Sequence, residues 1–365
     1  MRKIQVALGE RSYEILIEPE LVVRAGSHIV GVVKGRRCLV ITDRNIGPKY
    51  GPKLAKSLQV AGFDGSLAEL PPGEGAKTLK VVEFVYDRAL DVSLDRDSCL
   101  VALGGGVIGD LTGFAAATFY RGIPFVQVPT TLLAMVDASI GGKTGVDHPR
   151  AKNAVGAFHQ PRVVLIDPTT LLTLPDRELK SGLAEVIKYG VIDDAALFAD
   201  LERDMPRLLN KDVPLLTGVI ERCAAIKARI VSQDEREQGG GPRALLNMGH
   251  TFAHAIESAT NYQGYLHGEA VGIGMAMAAD LSVQLGLISA ADRDRIVALL
   301  QQAGLPVRLK MGDPDTNTLY SGMFKDKKMA SGKLRFVVAE AIGKSKVVTD
   351  VPEEVVRKAL DSWRE

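Results

Sequence analysis

Apolar and polar residues alternate over residues 4–8 and again over Tyr13–Ile17, on either side of Gly9-Glu10-Arg11-Ser12. That period of two predicts a hairpin. The alternation then gives way to short, solidly apolar runs at 38–43, 98–103, 125–128 and 163–166. Such runs, separated by helical patterns, predict strands buried on both faces in a mainly parallel sheet with helices on each side. Near residue 170 the period lengthens toward that of a helix, and Leu179, Leu183, Val186 and Gly190 share one face. Helical segments run on through residue 308, interrupted at Asp193-Asp194, Pro214, Gly239-Gly240-Gly241-Pro242 and Gly286. A last hairpin over 334–339 and 345–349 precedes a short terminal helix. The pattern predicts an α/β nucleotide-binding domain over 1–169 and a mostly α-helical domain over 170–365. The default ligand site for such a pair is the cleft between them.

Composition narrows the function. The chain has 365 residues, 46% of them hydrophobic, and 45 Lys+Arg balance 44 Asp+Glu. A near-neutral chain lacks the basic excess that nucleic acid or an anionic membrane surface requires. The N-terminus has no apolar signal core, and the longest apolar stretch, 270–279, is far below the roughly 20 residues of a membrane span. Cys38, Cys99 and Cys223 are scattered, form no CxxC pair, and read as core thiols. The expectation is a soluble, cytoplasmic protein.

Gly104, Gly106 and Gly109 match G-x-G-x-x-G between a strand and a helix. Glycines there let the backbone approach a pyrophosphate, and the helix start offers unpaired N–H groups. A tight strand-to-helix turn would read the same way. The acidic residue that completes the usual fingerprint is missing downstream, where Pro129-Thr130-Thr131 stands, and the candidate ribose acceptor is Asp43, upstream. The loop from Pro71 to Lys77 is a second Gly/Pro turn, which alone reads as surface.

His250, His254 and Glu257 fall at i, i+4 and i+7 of an otherwise apolar helix, and three of the six histidines lie between 250 and 267. Ionisable groups on one stripe of a packed helix need partners. Two histidines and a carboxylate form the usual set for an open zinc site. Spacing leaves Glu185, Glu257 and Glu269 all open as the carboxylate, and a satisfied core histidine remains the bland alternative. Lys143 lies among glycines in Gly141-Gly142-Lys143-Thr144-Gly145, and Lys152-Asn153 follows. Arg121, Lys188, Lys227, Arg243, Lys327 and Lys328 sit by other turns. Singly each reads as a solvated charge; together they suit a small, multiply anionic substrate.

Long motifs in order give the chain a resemblance that spacing does not supply. They lie at 72–78, 104–110, 119–122, 129–137, 139–145, 152–153, 156–161, 181–188, 247–250, 267–271 and 326–328. With these the chain resembles the 3-dehydroquinate synthase family of the sugar-phosphate cyclase superfamily over nearly its whole length.

The resemblance implies zinc, or cobalt, held by Glu185, His250 and His267. It implies NAD contacts from Asp43, from Pro72, Gly73, Glu74, Gly75, Ala76 and Lys77, and from Gly106, Val107, Ile108, Gly109 and Asp110. Thr130, Thr131 and the segment Thr170, Leu171, Leu172 and Thr173 complete that set, with Lys143 and Lys152 touching both cofactor and substrate. Asp137, Glu237, Lys188, Lys227, Arg243 and Asn247 would line the substrate pocket. Asn153, His254, Asn247 and a lysine of the Lys327-Lys328 pair would hold its phosphate. Arg121 would reach a neighbouring subunit's site, which implies a homodimer.

The implied reaction is carbon–oxygen lysis: transient NAD oxidation of a sugar phosphate, phosphate elimination, re-reduction, and an intramolecular aldol closure. Two positions depart from the family pattern: Ala253 stands where it has glycine, and the loop 237–243 is two residues longer. A different sugar-phosphate cyclase, a metal-dependent polyol dehydrogenase and a non-catalytic NAD-binding regulator are the alternatives. The phosphate-binding cations argue against the second, and the intact metal trio against the third.

Overall fold

A computed structural model describes residues 1–237, 241–327 and 334–365, with the side chains of 325–327 left out. It divides into two compact units, Met1–Leu174 with Val213–Arg236, and Pro175–Asp212 with Glu237–Glu365.

The first unit carries strands β1 (Arg2–Val6), β2 (Tyr13–Ile17), β3 (Arg37–Asp43), β4 (Asp64–Leu70), β5 (Cys99–Gly104), β6 (Phe125–Pro129), β7 (Lys143–His148), β8 (Ala151–Phe158) and β9 (Val163–Ile166). Its helices begin with α1 (Ala25–Ile29), α2 (Gly47–Val60), α3 (Leu79–Asp91) and α4 (Gly106–Thr118). Seven strands form one sheet in the order β1-β2-β9-β6-β5-β3-β4, parallel except for the β1–β2 hairpin. Alternate residues of each strand feed opposite faces. Val40, Val101, Val126 and Leu165 pack with Ile29 of α1 and Leu54 and Leu58 of α2. Leu39, Ile41, Leu100 and Phe125 pack with Val82 and Val85 of α3 and Leu111 and Phe114 of α4. Both faces are covered, which is why these strands read as continuous apolar runs.

The chain turns from β3 to β4 on one side and then returns to β5 on β3's other side. The carboxyl ends of β3 and β5 therefore flank a topological switch point, where open α/β sheets bind ligands. Asp43 ends β3, and the Gly104-Gly105-Gly106 turn follows β5. β7 and β8 make a separate antiparallel pair.

The second unit begins with α5 (Asp176–Ile192) and α6 (Ala195–Leu209). The next helix, α7 (Val213–Gln233), belongs to the first unit. This corrects the expected domain spanning 170–365. α7 lies along the edge strand β1: Arg2 pairs with Glu221, Arg11 with Glu235 at 2.7 Å, and Ala7 N–H donates to Ser232 Oγ at 3.0 Å. An open sheet edge is a liability until something covers it. The 3₁₀ segment Pro168–Thr173 also stays with the first unit, because Asp167 binds it and the chain at Glu20 and Val22 at 2.9–3.1 Å.

The second unit continues with α8 (His250–Ala259), α9 (His267–Gln284), α10 (Ala290–Gln302), α11 (Thr316–Lys327), the hairpin β10 (Arg335–Ala341) and β11 (Lys344–Thr349), and α12 (Glu353–Ser362). α9 is buried along nearly its whole length. A Cβ at Gly268 would collide with the Ser181 carbonyl oxygen of α5. Gly268 N–H donates to the Ser181 side-chain Oγ at 3.0 Å across this close approach. Gly274 faces Gly249 and the Ala253 N–H of α8 in the same way. The backbones of α8 and α9 thus meet closely at Gly274, and Ala253 is fully buried.

Candidate functional site

In the second unit, three helices bring one donor each to a point. Glu185 comes from the middle of α5 and has no exposed surface. His250 opens α8, placed by Gly249 at φ +79°, a conformation glycine adopts without steric cost. His267 opens α9. Glu185 Oε1 lies 3.5 Å from His250 Nε2 and 3.7 Å from His267 Nε2, and one ligand atom from each residue falls within 4.8 Å of the others. Ligand atoms around a tetrahedral zinc sit about 3.4 Å apart, given bonds of about 2.0–2.2 Å. The set fits such an ion.

The remaining ring nitrogens are engaged on the other side. His250 Nδ1 is 3.1 Å from the Met248 carbonyl oxygen, and His267 Nδ1 is 3.2 Å from Glu257 Oε1. Partners of that kind hold a proton on Nδ1 and leave Nε2 as a donor atom for a metal. Burial, with Lys188 nearby, lowers the pKa of His250 to about 3. Burial also works against charge on His267, but hydrogen bonds to Glu185 and Glu257 outweigh it and raise that pKa to about 10.

Geometry separates the three carboxylates that spacing left open. Glu185 joins the histidines. Glu257 backs His267 from behind, a role that spacing did not show although it put Glu257 on the histidine face. Glu269 instead binds Arg177 at 2.7 Å and accepts the Leu266 N–H at 2.8 Å, capping α9. His254 stands one turn after His250, its ring edge-on at 5.6 Å, and is outside the trio. Lys188 is almost fully buried, paired with Glu185 and 5.4 Å from the Tyr189 ring centre. Arg243 is buried, and Asn247 Nδ2 donates to Glu237 Oε1 at 3.0 Å. Lys328 and the side chain of Lys327 lie outside the described residues, as do positions 238–240 of the longer loop.

In the first unit, the switch point gathers most of the residues expected to hold a dinucleotide. Asp43 Oδ1 accepts the Asn45 and Ile46 N–H groups at 2.8 and 3.1 Å. Gly73 turns at φ +88°. Lys77 is nearly buried, and its Nζ donates to Asp110 Oδ2 at 2.6 Å and Asn153 Oδ1 at 2.5 Å. Burial pushes the Asp110 carboxyl above its ordinary value, with Lys77 opposing. Pro72 and Gly75 are exposed, Ala76 is buried, and Lys152 Nζ is 3.1 Å from Glu74 Oε1. Gly106, Val107 and Gly109 form the first turn of α4, beside Thr130 and Thr131 after β6. Ile108 and Leu171 bury their side chains.

Thr170 is also buried and Leu172 exposed; Tyr50 Oη holds this segment through the Thr170 carbonyl at 3.2 Å and Thr173 Oγ1 at 2.8 Å. Tyr50 is a support that the sequence did not single out. Lys227 Nζ, on α7, donates to Asp137 Oδ1 and to its carbonyl, both at 2.6 Å. Lys143 opens β7, exposed. Arg121 is exposed in a tight turn, at φ +66° after Tyr120 at φ +48°.

This arrangement has close counterparts. Residues 67–181 match the family model described as 3-dehydroquinate synthase N-terminal, and residues 182–329 the one described as 3-dehydroquinate synthase C-terminal. The 3-dehydroquinate synthase of Desulforamulus reducens is 50% identical over 360 residues, 99% of each chain. Among solved structures, 2-epi-5-epi-valiolone synthase from Streptomyces hygroscopicus subsp. jinggangensis, with NAD+ and Zn2+ bound, superposes with a TM-score of 0.89 at 30% identity, over 98% of both chains. A 2-deoxy-scyllo-inosose synthase complexed with carbaglucose-6-phosphate, NAD+ and Co2+ gives 0.88 at 25% identity, over 99% of this chain and all of that one. Fold and metal-competent trio together define a sugar-phosphate cyclase. Within that class the chain belongs to the 3-dehydroquinate synthase family.

Proposed function

We propose that this enzyme converts 3-deoxy-D-arabino-heptulosonate 7-phosphate into 3-dehydroquinate and phosphate, the lyase step that serves the shikimate pathway and aromatic amino acid biosynthesis. The observation that carries the reading is the Glu185–His250–His267 set, in a chain half identical to a 3-dehydroquinate synthase from end to end. Glu185, His250 and His267 would hold zinc, or cobalt. Asp43, the 72–77 loop, the 106–110 turn, Thr130, Thr131 and the 170–173 segment would hold NAD. When bound, the metal supplies Lewis acidity toward a ring hydroxyl, and NAD takes up and returns a hydride. The first compact unit is then the nucleotide-binding part and the second the metal-binding part.

The protein's own side chains do the rest. Glu257 and the Met248 carbonyl keep the two imidazoles turned with Nε2 forward. Lys188 offsets the buried charge of Glu185. Lys143, Lys152, Lys188, Lys227 and Arg243 give a multiply anionic sugar phosphate its counter-charges. Asp137, Glu237 and Asn247 orient its hydroxyls. Asn153, Asn247, His254 and a lysine of the 327–328 pair hold the substrate's phosphate. Arg121 reaches a second copy's site in a homodimer. Three buried free thiols support a cytoplasmic setting, and among the described residues no helix is long and apolar enough to cross a membrane.

The test is inorganic phosphate release from the heptulosonate phosphate, with and without a chelator and with NAD stripped. Release should require both and leave no net NADH. Accumulating NADH would make the enzyme a polyol dehydrogenase, and release only from another sugar phosphate would make it a different cyclase.

A further inference from the structure

The geometry points to Asp147 as a positioning residue that sets the anion-binding hairpin against the nucleotide loop. Asp147 sits in β7 where the β7–β8 register shifts, between Val146 paired with Val155 and His148 paired with Ala151. A bulge of this kind re-aims the side chains around it. The extra residues are on β8, where 152–154 face Asp147 alone, and Asn153 among them is at φ +52° in the left-handed region, which asparagine tolerates better than most residues.

Asp147 fastens both ends of this arrangement. Its Oδ1 accepts the Asn153 N–H at 2.7 Å, and its own N–H donates to the Lys77 carbonyl at 2.8 Å. The ring closes through side chains, since Lys77 Nζ donates to Asn153 Oδ1 at 2.5 Å. Thr78 and Asp147 form an isolated parallel bridge, so the loop runs alongside the hairpin at this point. The preceding residue of β8, Lys152, reaches back to Glu74 in the same loop at 3.1 Å.

Neither Lys77 nor Asn153 can therefore shift without the other, and Asp147 sets where both stand. Without its carboxylate oxygen, nothing at this position receives the Asn153 N–H. The left-handed turn then loses the bond that holds it, and the Asn153 side chain relaxes away from Lys77. The inference rests on the reading above, in which Asn153 receives the substrate phosphate. Asp147 acts on that phosphate only through Asn153 and makes no contact with it.

The holoenzyme, loaded with zinc and NAD and assayed by phosphate release, tests this with Asp147→Ala, Asp147→Asn, Asn153→Ala and the double variant Asp147→Ala/Asn153→Ala. Asp147→Ala should raise KM for the sugar phosphate about tenfold, with kcat changed less than about threefold. Asp147→Asn keeps an oxygen acceptor and should return KM to within about twofold of the parent. The double variant should be no worse than Asn153→Ala alone, the mark of two residues acting in series.

A lowered Tm with an unchanged KM would make Asp147 merely structural, and failure of Asp147→Asn to rescue would remove the acceptor role; either overturns the inference. If Asn153→Ala raises KM and Asp147→Ala does not, the inference fails while the functional reading stands. If Asn153→Ala itself leaves KM unchanged, the phosphate role of Asn153 falls, and the inference falls with it.

Discussion

His267 Nδ1 lies 3.2 Å from Oε1 of Glu257, a carboxylate on the neighbouring helix α8 that is itself almost completely buried. The bond fixes the ring's direction before any ion arrives. Glu257→Gln keeps the shape but offers a weaker, neutral acceptor. Metal affinity, measured by competition with a chromophoric chelator, should fall about 10- to 100-fold. Unchanged affinity would show that α9 alone orients His267.

Lys188 and Glu185 are an ion pair with almost no exposed surface. Removing one member of such a pair leaves a buried charge and costs about 3–5 kcal/mol. Lys188→Met should therefore lower the thermal midpoint strongly in chelator. With zinc present the loss should be smaller, because the ion supplies the missing positive charge. Equal losses in both conditions would separate the ion pair from the metal.

Gly268 leaves no room for a methyl group against the Ser181 carbonyl. Gly268→Ala should push α9 off α5, cost about 3 kcal/mol or more, and separate Glu185 from His267. Urea unfolding and metal content should fall together. A stable variant with full metal content would show that the helices yield without moving the site.

The His159 ring stacks on Phe125 with centroids 5.3 Å apart, and its Nε2 is 2.9 Å from the Ile123 carbonyl oxygen. Burial lowers its pKa below the ordinary histidine value. Below about pH 6.5 the unfolded chain therefore binds a proton that the folded one resists. The contribution is complete above that pH and is lost as pH falls toward the folded pKa. His159→Gln should lose less stability than the parent between about pH 7 and about pH 5. Parallel pH profiles of Tm would place the titration elsewhere.

The sequence made the central strands plain because both faces of the sheet are covered, so β5, β6 and β9 and the 38–41 run of β3 are largely apolar. β4 and β8 were illegible for the opposite reason. β4 contains Gly65, Ser66 and Ala68 and is partly exposed; β8 carries Lys152 and Asn153 and faces solvent along most of its length. Neither has the β-branched run or the clean alternation that marks a strand. Asp167 before Pro168 had a readable signature, an N-cap followed by proline. The metal carboxylate had none. Glu185, Glu257 and Glu269 look alike along the chain, and only the crossing of α5, α8 and α9 gives each its own task.

The chain crosses between its two units three times, after Leu174, Asp212 and Arg236. During synthesis the first unit therefore lacks its last helix until residue 236 has left the ribosome, by which time α5 and α6 are already made. Edge strand β1 is made before α1 through α6 and waits for α7 through all of them. A gene fragment ending near residue 174 would encode a sheet with that edge bare, and the protein's two units cannot be dissected by a single cut.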